Sequence, residues 1–235
     1  MKDPIPMTDP AAPERLRGGA RTVITGDGLA WLRASELGPA HAIVTSLPDV
    51  SEMAPMDFDA WRAWFIDAAA LVCASLDDLG IAVFYQTDIR RDGRWVDKGH
   101  LVTLGAERAG AHCLDHKIVC RVPAGTTTRG RPGYAHLLAF SRGLFGVPDP
   151  TAADVLPALG QMSWTKAMGT DACESVCRFL LRSPPCRVVV DPFCGHGTML
   201  AVANAYGFDA VGVELSPRRA SRARNLRFVL GHGLA

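Results

Sequence analysis

The sequence lacks any long apolar segment. No uninterrupted apolar run in its 235 residues approaches the roughly 20 residues that a membrane-spanning helix needs. The first residues, MKDPIPMTDPAAPERLRGG, contain proline, glycine and charges but no apolar core of a signal peptide. We therefore expect a frayed, flexible N-terminal arm over residues 1–20, a cytoplasmic location and no membrane partner.

The sequence also lacks the residue spacing of a metal site. Its seven cysteines are scattered through apolar contexts, with no CxxC pair and no histidine pair nearby. We expect buried free thiols and no bound metal. Cys173 and Cys177 lie four residues apart, which places them on one face of a helix and predicts packing.

An excess of charge of either sign is absent as well. Lys and Arg number 25 against 24 Asp and Glu, a formal net charge of +1. This balance argues against strong nonspecific binding to duplex DNA. Internal repeats and low-complexity tracts are also missing, and the 48% apolar content is typical of a globular protein.

What the sequence does contain is an alternation of strand-like and helix-like segments. Apolar residues recur every three or four positions over residues 57–79, which predicts an amphipathic helix that ends before Gly80. Residues 81–86 and 188–191 are typical of buried strands, whereas HKIVCRV and YAHLLAFS predict two antiparallel neighbours at a sheet edge. The expected fold class is α/β, with a doubly wound, mainly parallel sheet and an antiparallel edge hairpin.

The most informative stretch is VVVDPFCGHGT, residues 188–198. Glycines at the carboxyl end of a buried strand let the backbone approach a ligand, and the next helix presents unpaired N–H groups. The next strand ends VGVEL, which places Glu214 where a carboxylate can accept hydrogen bonds from ribose hydroxyls. Leu200 fills the position of the third glycine of a GxGxxG loop, so a nucleoside without phosphates is favoured over a dinucleotide.

DPFxGxGT followed by VGVEL resembles the S-adenosylmethionine-binding loop of Rossmann-like methyltransferases that act on the exocyclic amines of adenine or cytosine. The motif order resembles that of a circularly permuted group of this family, in which the catalytic half comes first. The resemblance implies one methyltransferase domain over residues 21–235, with a catalytic half at 21–142 and a cofactor-binding half at 161–235. It also implies S-adenosyl-L-methionine as the cofactor.

The resemblance assigns cofactor-binding roles to the glycine loop and to two acids outside it. TGD at 25–27 resembles the segment whose acid faces the adenosine, and SWTKAMGTDACESVCRFL resembles the segment that packs near the methionine end. The implied cofactor-binding residues are Asp27, Asp191, Phe193, Gly195, Gly197, Thr198 and Glu214.

TSLPDV stands where the family carries an [Asp/Ser/Asn]-Pro-Pro-aromatic motif that holds the target amine. The implied catalytic residues are Ser46, Leu47, Pro48 and Asp49. Ser46 and the Leu47 carbonyl would accept the amine hydrogens, and Pro48 stiffens the turn. Asp49 departs from the motif because it replaces the aromatic. It is either an acceptor for the amine or a cap of the following turn.

Substrate contacts are predicted at two further places. Tyr85, near the end of a predicted strand, is a candidate to stack on the base in place of the missing aromatic. The loop PAGTTTRGRPG carries Arg129 and Arg131 among threonines and glycines. That composition suits phosphate contact and is equally typical of a solvated hairpin loop.

The substrate class is predicted from the short segment between the two halves, residues 143–161. It leaves little room for the target-recognition region of relatives that read duplex DNA. This favours RNA, such as tRNA or rRNA, as the nucleic-acid partner, whereas DNA would require base extrusion. The alternatives are a DNA adenine or cytosine amino methyltransferase, and a non-catalytic subunit or RNA-binding partner of this fold, as a homodimer or in a complex. Methylation of a small molecule is compatible with the length but gives the arginine loops no role.

Overall fold

The computed structural model describes residues 19–53, 55–145, 152–183 and 186–235. Most of the predicted N-terminal arm, residues 1–18, lies outside these ranges. The helices are α1 (Gly28–Ala34), α2 (Phe58–Ala74), α3 (Lys98–Arg108), α4 (Thr170–Leu181), α5 (Thr198–Ala205) and α6 (Pro217–Asn225), with a short 3-10 turn at Val50–Glu52. The strands are β1 (Arg21–Thr25), β2 (His41–Thr45), β3 (Ile81–Gln86), β4 (Ile89–Arg91), β5 (Arg94–Val96), β6 (His112–Cys120), β7 (Tyr134–Ser141), β8 (Val155–Leu156), β9 (Val188–Asp191), β10 (Asp209–Glu214), β11 (Phe228–Val229) and β12 (Gly233–Leu234).

In the described residues, the main sheet has the strand order β1-β10-β9-β2-β3-β7-β6-β8. The first five strands are parallel to one another, and β7 is antiparallel to both β3 and β6. The predicted α/β class, the mainly parallel sheet and the antiparallel hairpin are confirmed. The two-residue strand β8 pairs with the outer side of β6, so it extends the sheet one strand beyond the hairpin.

Strands β2 and β9 lie side by side although they are distant in the sequence. Ala42 pairs with Val189 and Ile43 with Val190. From β9 the chain continues to β10 on one side, and from β2 it continues to β3 on the other side. The carboxyl ends of β2 and β9 therefore flank the topological switch point, where open α/β sheets bind ligands. The TSLPDV segment, which follows β2, therefore lies beside the DPFCGHGT segment, which follows β9.

Helices cover both faces of the sheet. Residues of α1, α2 and α3 belong to one buried apolar cluster, and residues of α4, α5 and α6 belong to the other. Helix α2 starts where Asp57 accepts a hydrogen bond from the Ala60 amide. It ends at Ala74, earlier than the pattern predicts, because the chain turns through Asp77 and Gly80. No helix among the described residues is long and apolar enough to cross a bilayer.

Burial accounts for most of the cysteines, as predicted. On α4, Cys173 and Cys177 are fully buried, and burial raises the pKa of each thiol well above its ordinary value. The prediction is wrong for Cys113, which is exposed, and for Cys120, which is half-buried. Both lie on β6 near the sheet edge, where the helices leave part of the strand uncovered. The buried thiols are Cys73, Cys173, Cys177, Cys186 and Cys194.

Two short hairpins are present that the sequence patterns do not predict. Strands β4 and β5 pair around a turn at Asp92 and Gly93, which both have positive φ. The Asp-Gly pair is a typical signal for such a turn, but the arginine-rich flanks hide the alternation of a strand. The second hairpin, β11 with β12, follows the basic helix α6.

We predict that replacing Gly105 by alanine destabilises the protein. In α3, a Cβ at this position would lie 2.5 Å from the Ile66 carbonyl oxygen and 2.6 Å from the Ala69 Cβ of α2. Overpacking costs about 1–3 kcal/mol, which exceeds the gain of about 1 kcal/mol from the helix preference for alanine. Urea denaturation should give a lower free energy of unfolding for Gly105→Ala and little change for Gly38→Ala, where a Cβ meets nothing within 4 Å. Unchanged stability of Gly105→Ala would contradict this close packing of α2 and α3.

Candidate functional site

A cavity of about 260 Å³ lies at the switch point. Its walls are the glycine loop after β9, the turn before α1, the residues after β2, and a cover formed by residues 164–168. The predicted cofactor-binding residues that line it are Asp27, Asp191, Phe193, Gly195, Thr198 and Glu214. The predicted catalytic residues that line it are Ser46, Leu47 and Pro48. The fold therefore brings the two predicted sets of residues, which are far apart in the sequence, onto one cavity.

Glu214 lies at the end of β10 and fixes the glycine loop. One carboxylate oxygen accepts a hydrogen bond from the Gly195 amide at 3.1 Å, and the other accepts one from the Ser216 amide at 2.8 Å. The Arg219 guanidinium lies 3.9 Å away. Each carboxylate oxygen has a further lone pair, so Glu214 can hold the loop and still accept a hydrogen bond from a ligand hydroxyl.

Asp191 joins the two halves of the site. A single carboxylate oxygen accepts hydrogen bonds from the Thr45 hydroxyl at 2.7 Å and from the Phe193 amide at 3.0 Å. Burial raises the pKa of Asp191 to about 7, although these two hydrogen bonds act in the opposite direction. The nearby Glu214 raises it further.

Glycines are required around the cavity for two different reasons. Gly195 and Gly197 have φ of 56° and 80°, a conformation that other residues rarely adopt. A Cβ on Gly197 would also lie 2.9 Å from Ala223 of α6, and Gly197 does not line the cavity. A Cβ on Gly28 would overlap the Pro192 carbonyl. The GD turn can therefore approach the glycine loop only because Gly28 has no side chain.

Asp27 occupies the mouth of the cavity. Its carboxylate caps α1 by accepting a hydrogen bond from the Ala30 amide at 2.7 Å, and the residue is exposed. The preceding Gly26 donates its amide hydrogen to the Glu214 carbonyl oxygen at 3.0 Å. This bond places the acid of the GD turn next to the acid at the end of β10.

The residues that form the cover of the cavity, 164–168, were not identified individually from the sequence. Lys166 forms an ion pair with Glu52 at 3.2 Å, which joins the cover to the turn that follows TSLPDV. Trp164 lies under the Arg219 guanidinium at 4.8 Å and beside the His196 ring. The cover is thus attached on both sides of the cavity.

A second, narrower cleft adjoins the cavity on its β3 side. The two share Ser46, Leu47, Glu52 and Lys166. The cleft adds Asp49, Tyr85, Thr87, Lys98, Arg121 and Arg131. Because Ser46 and Leu47 belong to both spaces, this loop forms the boundary between them.

Asp49 shows features of both roles that the sequence left open. Its amide donates to the Glu52 carboxylate at 3.1 Å at the start of the 3-10 turn, as in a cap. Its carboxylate faces the cleft, where Lys98 Nζ and the Arg131 guanidinium each lie 3.8 Å from one oxygen. The carboxylate is therefore fixed between two cations in the cleft.

Lys98 is a site residue that sequence reasoning missed. It is the first residue of α3, only 4% exposed, and its ammonium lies 6.0 Å from the Phe65 ring centroid. Burial lowers the pKa of Lys98, and the neighbouring Asp49 opposes this effect. A lysine after a polar stretch gives no sign of burial in the sequence, since only the packing of α3 against α2 encloses it.

Tyr85 reaches the cleft with its hydroxyl. The residue is 4% exposed, and among the described residues its buried hydroxyl has no partner in hydrogen-bonding geometry. Burial raises the pKa of Tyr85, and Arg121 lowers it. Since the ring is packed in the apolar core, this geometry suits hydrogen bonding to a ligand better than stacking on it.

The two arginines of the predicted phosphate loop are placed differently. Arg131 lines the cleft and reaches Asp49, whereas Arg129 is exposed and does not line it. The β6–β7 loop is thus held against the TSLPDV loop through Arg131.

Neither the protein-family models nor the curated proteins include a match to this chain. Solved structures do match. TTHA0409 from Thermus thermophilus, described as a candidate DNA modification methylase and solved with S-adenosyl-L-methionine, is 22% identical with a TM-score of 0.64, covering 87% of this chain and 92% of that chain. The cytosine-N4-specific PvuII DNA methyltransferase is 14% identical with a TM-score of 0.68, covering 90% and 88%. The complex of M1.HpyAVI with SAM is 14% identical with a TM-score of 0.59, covering 87% and 97%.

The chain has the fold of these proteins. The coverage extends over nearly the whole length on both sides, so the similarity includes both predicted halves. The Rossmann-like methyltransferase fold expected from the sequence motifs is confirmed.

We predict that Asp191→Asn changes the pH dependence of stability. The folded-state pKa of about 7 lies above the ordinary value of 3.8, so the folded state holds this proton more tightly than the unfolded chain does. Stability should therefore fall as the pH rises from about 4 to about 7. Asparagine cannot ionise. The free energy of unfolding of Asp191→Asn minus that of the wild type should therefore be higher at pH 7.5 than at pH 4.5. Parallel pH profiles would contradict this, and the exposed Asp67→Asn serves as the control.

Proposed function

We propose that the protein is an S-adenosylmethionine-dependent methyltransferase that acts on the exocyclic amine of a nucleobase in DNA. The observation that carries the proposal is the pairing of β2 with β9, which brings the DPFCGHGT loop and the SLPD loop onto one cavity. Two solved proteins of the same fold that are described as acting on DNA support it, and two of the similar structures were solved with the methyl donor.

The cavity fits this cofactor in its chemistry. Glu214 at a strand end suits the ribose hydroxyls, and Asp27 at the mouth suits the adenosine side. The cavity has the polar groups of a nucleoside site, while the GxGxxG spacing of a pyrophosphate loop is missing. The bound cofactor would supply an activated methyl group on a sulfonium sulfur.

The protein residues would then position the amine acceptor. The Ser46 hydroxyl and the Leu47 carbonyl would accept the two amine hydrogens, which turns the nitrogen lone pair towards the methyl carbon. As the carbon–nitrogen bond forms, the carbon–sulfur bond breaks with its electron pair left on sulfur, and positive charge develops on the nitrogen. The carboxylates of Asp49 and Glu52 would favour that charge. The proton that the amine then loses would pass to the Asp49 carboxylate, which faces the cleft.

DNA is proposed in preference to the RNA that the short central segment favours. TTHA0409 and the PvuII methyltransferase are described as DNA-modifying proteins, and this chain covers 92% and 88% of their lengths, so a chain of this size is compatible with that substrate. A base inside a duplex is out of reach of the cavity, so it would have to be extruded.

The first test is cofactor binding. Glu214→Gln should weaken binding of S-adenosylmethionine by about 1–3 kcal/mol, because it removes a charged acceptor for the ribose and weakens the support of Gly195. Isothermal titration calorimetry measures this directly. Glu107→Gln, an exposed change on α3, is the control. Equal affinities in the two variants would exclude Glu214 from the cofactor site.

The second test is methyl transfer. With tritiated cofactor, the wild type should label DNA more than total RNA, and Ser46→Ala should reduce the rate. Asp49→Asn should reduce it by a factor on the order of 10² with little change in cofactor affinity.

Two variants distinguish a loss of catalysis from a loss of folding. Asp49→Asn leaves the buried Lys98 ammonium without its closest anion, which destabilises a protein; the double variant Asp49→Asn with Lys98→Met removes both charges. A folded double variant with full transfer would exclude Asp49 from catalysis. Cofactor binding without transfer to DNA or RNA by the wild type would instead favour the non-catalytic subunit.

A further inference from the structure

A groove lies outside the cavity and the cleft. It has a volume of about 570 Å³ and separates the β4–β5 hairpin from the first turns of α2 and α3. Three arginines, a histidine and two aromatic rings are among the residues that line it: Arg62, Arg91, Arg94, His100, Phe58 and Trp95.

The hairpin that forms one wall is held by a buried carboxylate. Asp88, 1% exposed, accepts hydrogen bonds from Trp95 Nε1 at 3.1 Å, from His136 Nε2 at 3.1 Å and from the Lys98 amide at 2.8 Å. A two-stranded hairpin alone is marginally stable in water. Asp88 therefore connects the hairpin to the main sheet and to α3.

The same acid is part of a possible metal-ligand cluster, and its contacts argue for a structural role. Ligand atoms of Asp88, Asp97 and His136 all lie within 4.8 Å of one another. Both oxygens of Asp88 already accept hydrogen bonds from protein donors, and Asp97 caps α3 through the His100 amide. These bonds account for the cluster without an ion.

Both aromatic rings of the groove are in contact with an arginine. The Arg91 guanidinium lies 5.2 Å from the Phe58 ring centroid, and Arg90 lies 5.2 Å from that of Trp95. Trp95 is 45% exposed, which is high for a tryptophan of a folded protein. Asp92 at the hairpin tip is close to Arg91. Asp97 also lines the groove, so three arginines face two acids and the balance favours an anionic ligand.

The groove is linked to the acceptor side through the start of α3, because Asp97 lines the groove and the next residue, Lys98, lines the cleft. Phe58 begins α2 shortly after the TSLPDV loop, and Lys98, whose ammonium lies in the cleft, follows the hairpin by two residues. An extended strand of nucleic acid places neighbouring nucleotides a few ångströms apart along its backbone. A strand with one base in the cleft could therefore continue into the groove.

We propose that this groove binds the DNA strand that flanks the target base, with phosphates on Arg62, Arg91 and Arg94 and an unpaired base on Trp95. The inference rests on the proposed function, and the chemistry is that of single-strand grooves, in which cations follow the backbone and aromatic rings stack on bases. Single-strand character is expected here because extrusion of the target unstacks its neighbours.

The test is fluorescence anisotropy of a labelled DNA single strand and the matching duplex over a series of salt concentrations. Arg91→Gln with Arg94→Gln should weaken binding at least tenfold and lower the salt slope by about 1.4 for the strand, since each phosphate contact contributes about 0.7. Trp95→Leu should weaken binding of the strand about tenfold, whereas Trp95→Phe should retain most of it because stacking persists.

The control is Arg108→Gln with Arg178→Gln, which removes the same charge from exposed positions on α3 and α4 away from the groove. Affinity for S-adenosylmethionine, measured in every variant, reports on correct folding. Unchanged DNA affinity and salt slope in Arg91→Gln with Arg94→Gln would overturn the groove, even if the wild type methylates DNA. DNA binding that depends on the groove residues, without methyl transfer, would support the groove as a DNA-binding site and contradict the proposed function. Groove-dependent binding of RNA alone would overturn the choice of DNA.

Discussion

The buried hydrogen bond between the Thr45 hydroxyl and the Asp191 carboxylate, 2.7 Å long, joins two segments that are 146 residues apart in the sequence. It closes the gap between the ends of β2 and β9, and the same oxygen also holds the Phe193 amide at the start of the glycine loop. Glu214 completes the support by holding Gly195 from the next strand. The position of the loop that would hold the donor is therefore fixed relative to the loop that would hold the acceptor. A buried carboxylate is costly unless it is hydrogen-bonded. The hydrogen bonds of Asp191 form where the end of β2 meets the start of the glycine loop.

The acceptor side shows how the chain departs from the motif it resembles. Where an aromatic is expected, Asp49 is fixed between Lys98 and Arg131, and Tyr85 lines the same cleft as Arg121. Buried ion pairs contribute little net stability, because desolvation offsets the attraction. An ion pair placed at the boundary of the proposed acceptor cleft is therefore better explained by a role in the site than by a role in folding. The cleft offers hydrogen bonds and charges in place of a stacking surface.

Charge in this protein is organised locally. The net charge of +1 hides a cluster of arginines on the β4–β5 hairpin and a cluster of lysine and arginine side chains in the cleft. Both lie on the side of the sheet where β2 and β3 end, and Asp88 connects the hairpin to α3, which carries Lys98. A sum over the whole chain cannot detect such an arrangement, because it does not record where the charges lie or how they are paired.

The sequence by itself determined the features that depend on neighbouring residues. The period of α2, the strand before the glycine loop, the glycine loop itself and the acid at the end of β10 all follow from local patterns. Only the tertiary structure decided the features that depend on long-range packing. It turned Gly197 towards α6, buried Lys98 against Phe65, paired Asp49 with two cations, and packed Tyr85 into the core beside the cleft. The physical reason is that backbone conformation is set largely by short-range sterics and hydrogen bonds, whereas burial and ion pairing depend on residues that become neighbours only when the sheet and its helices assemble.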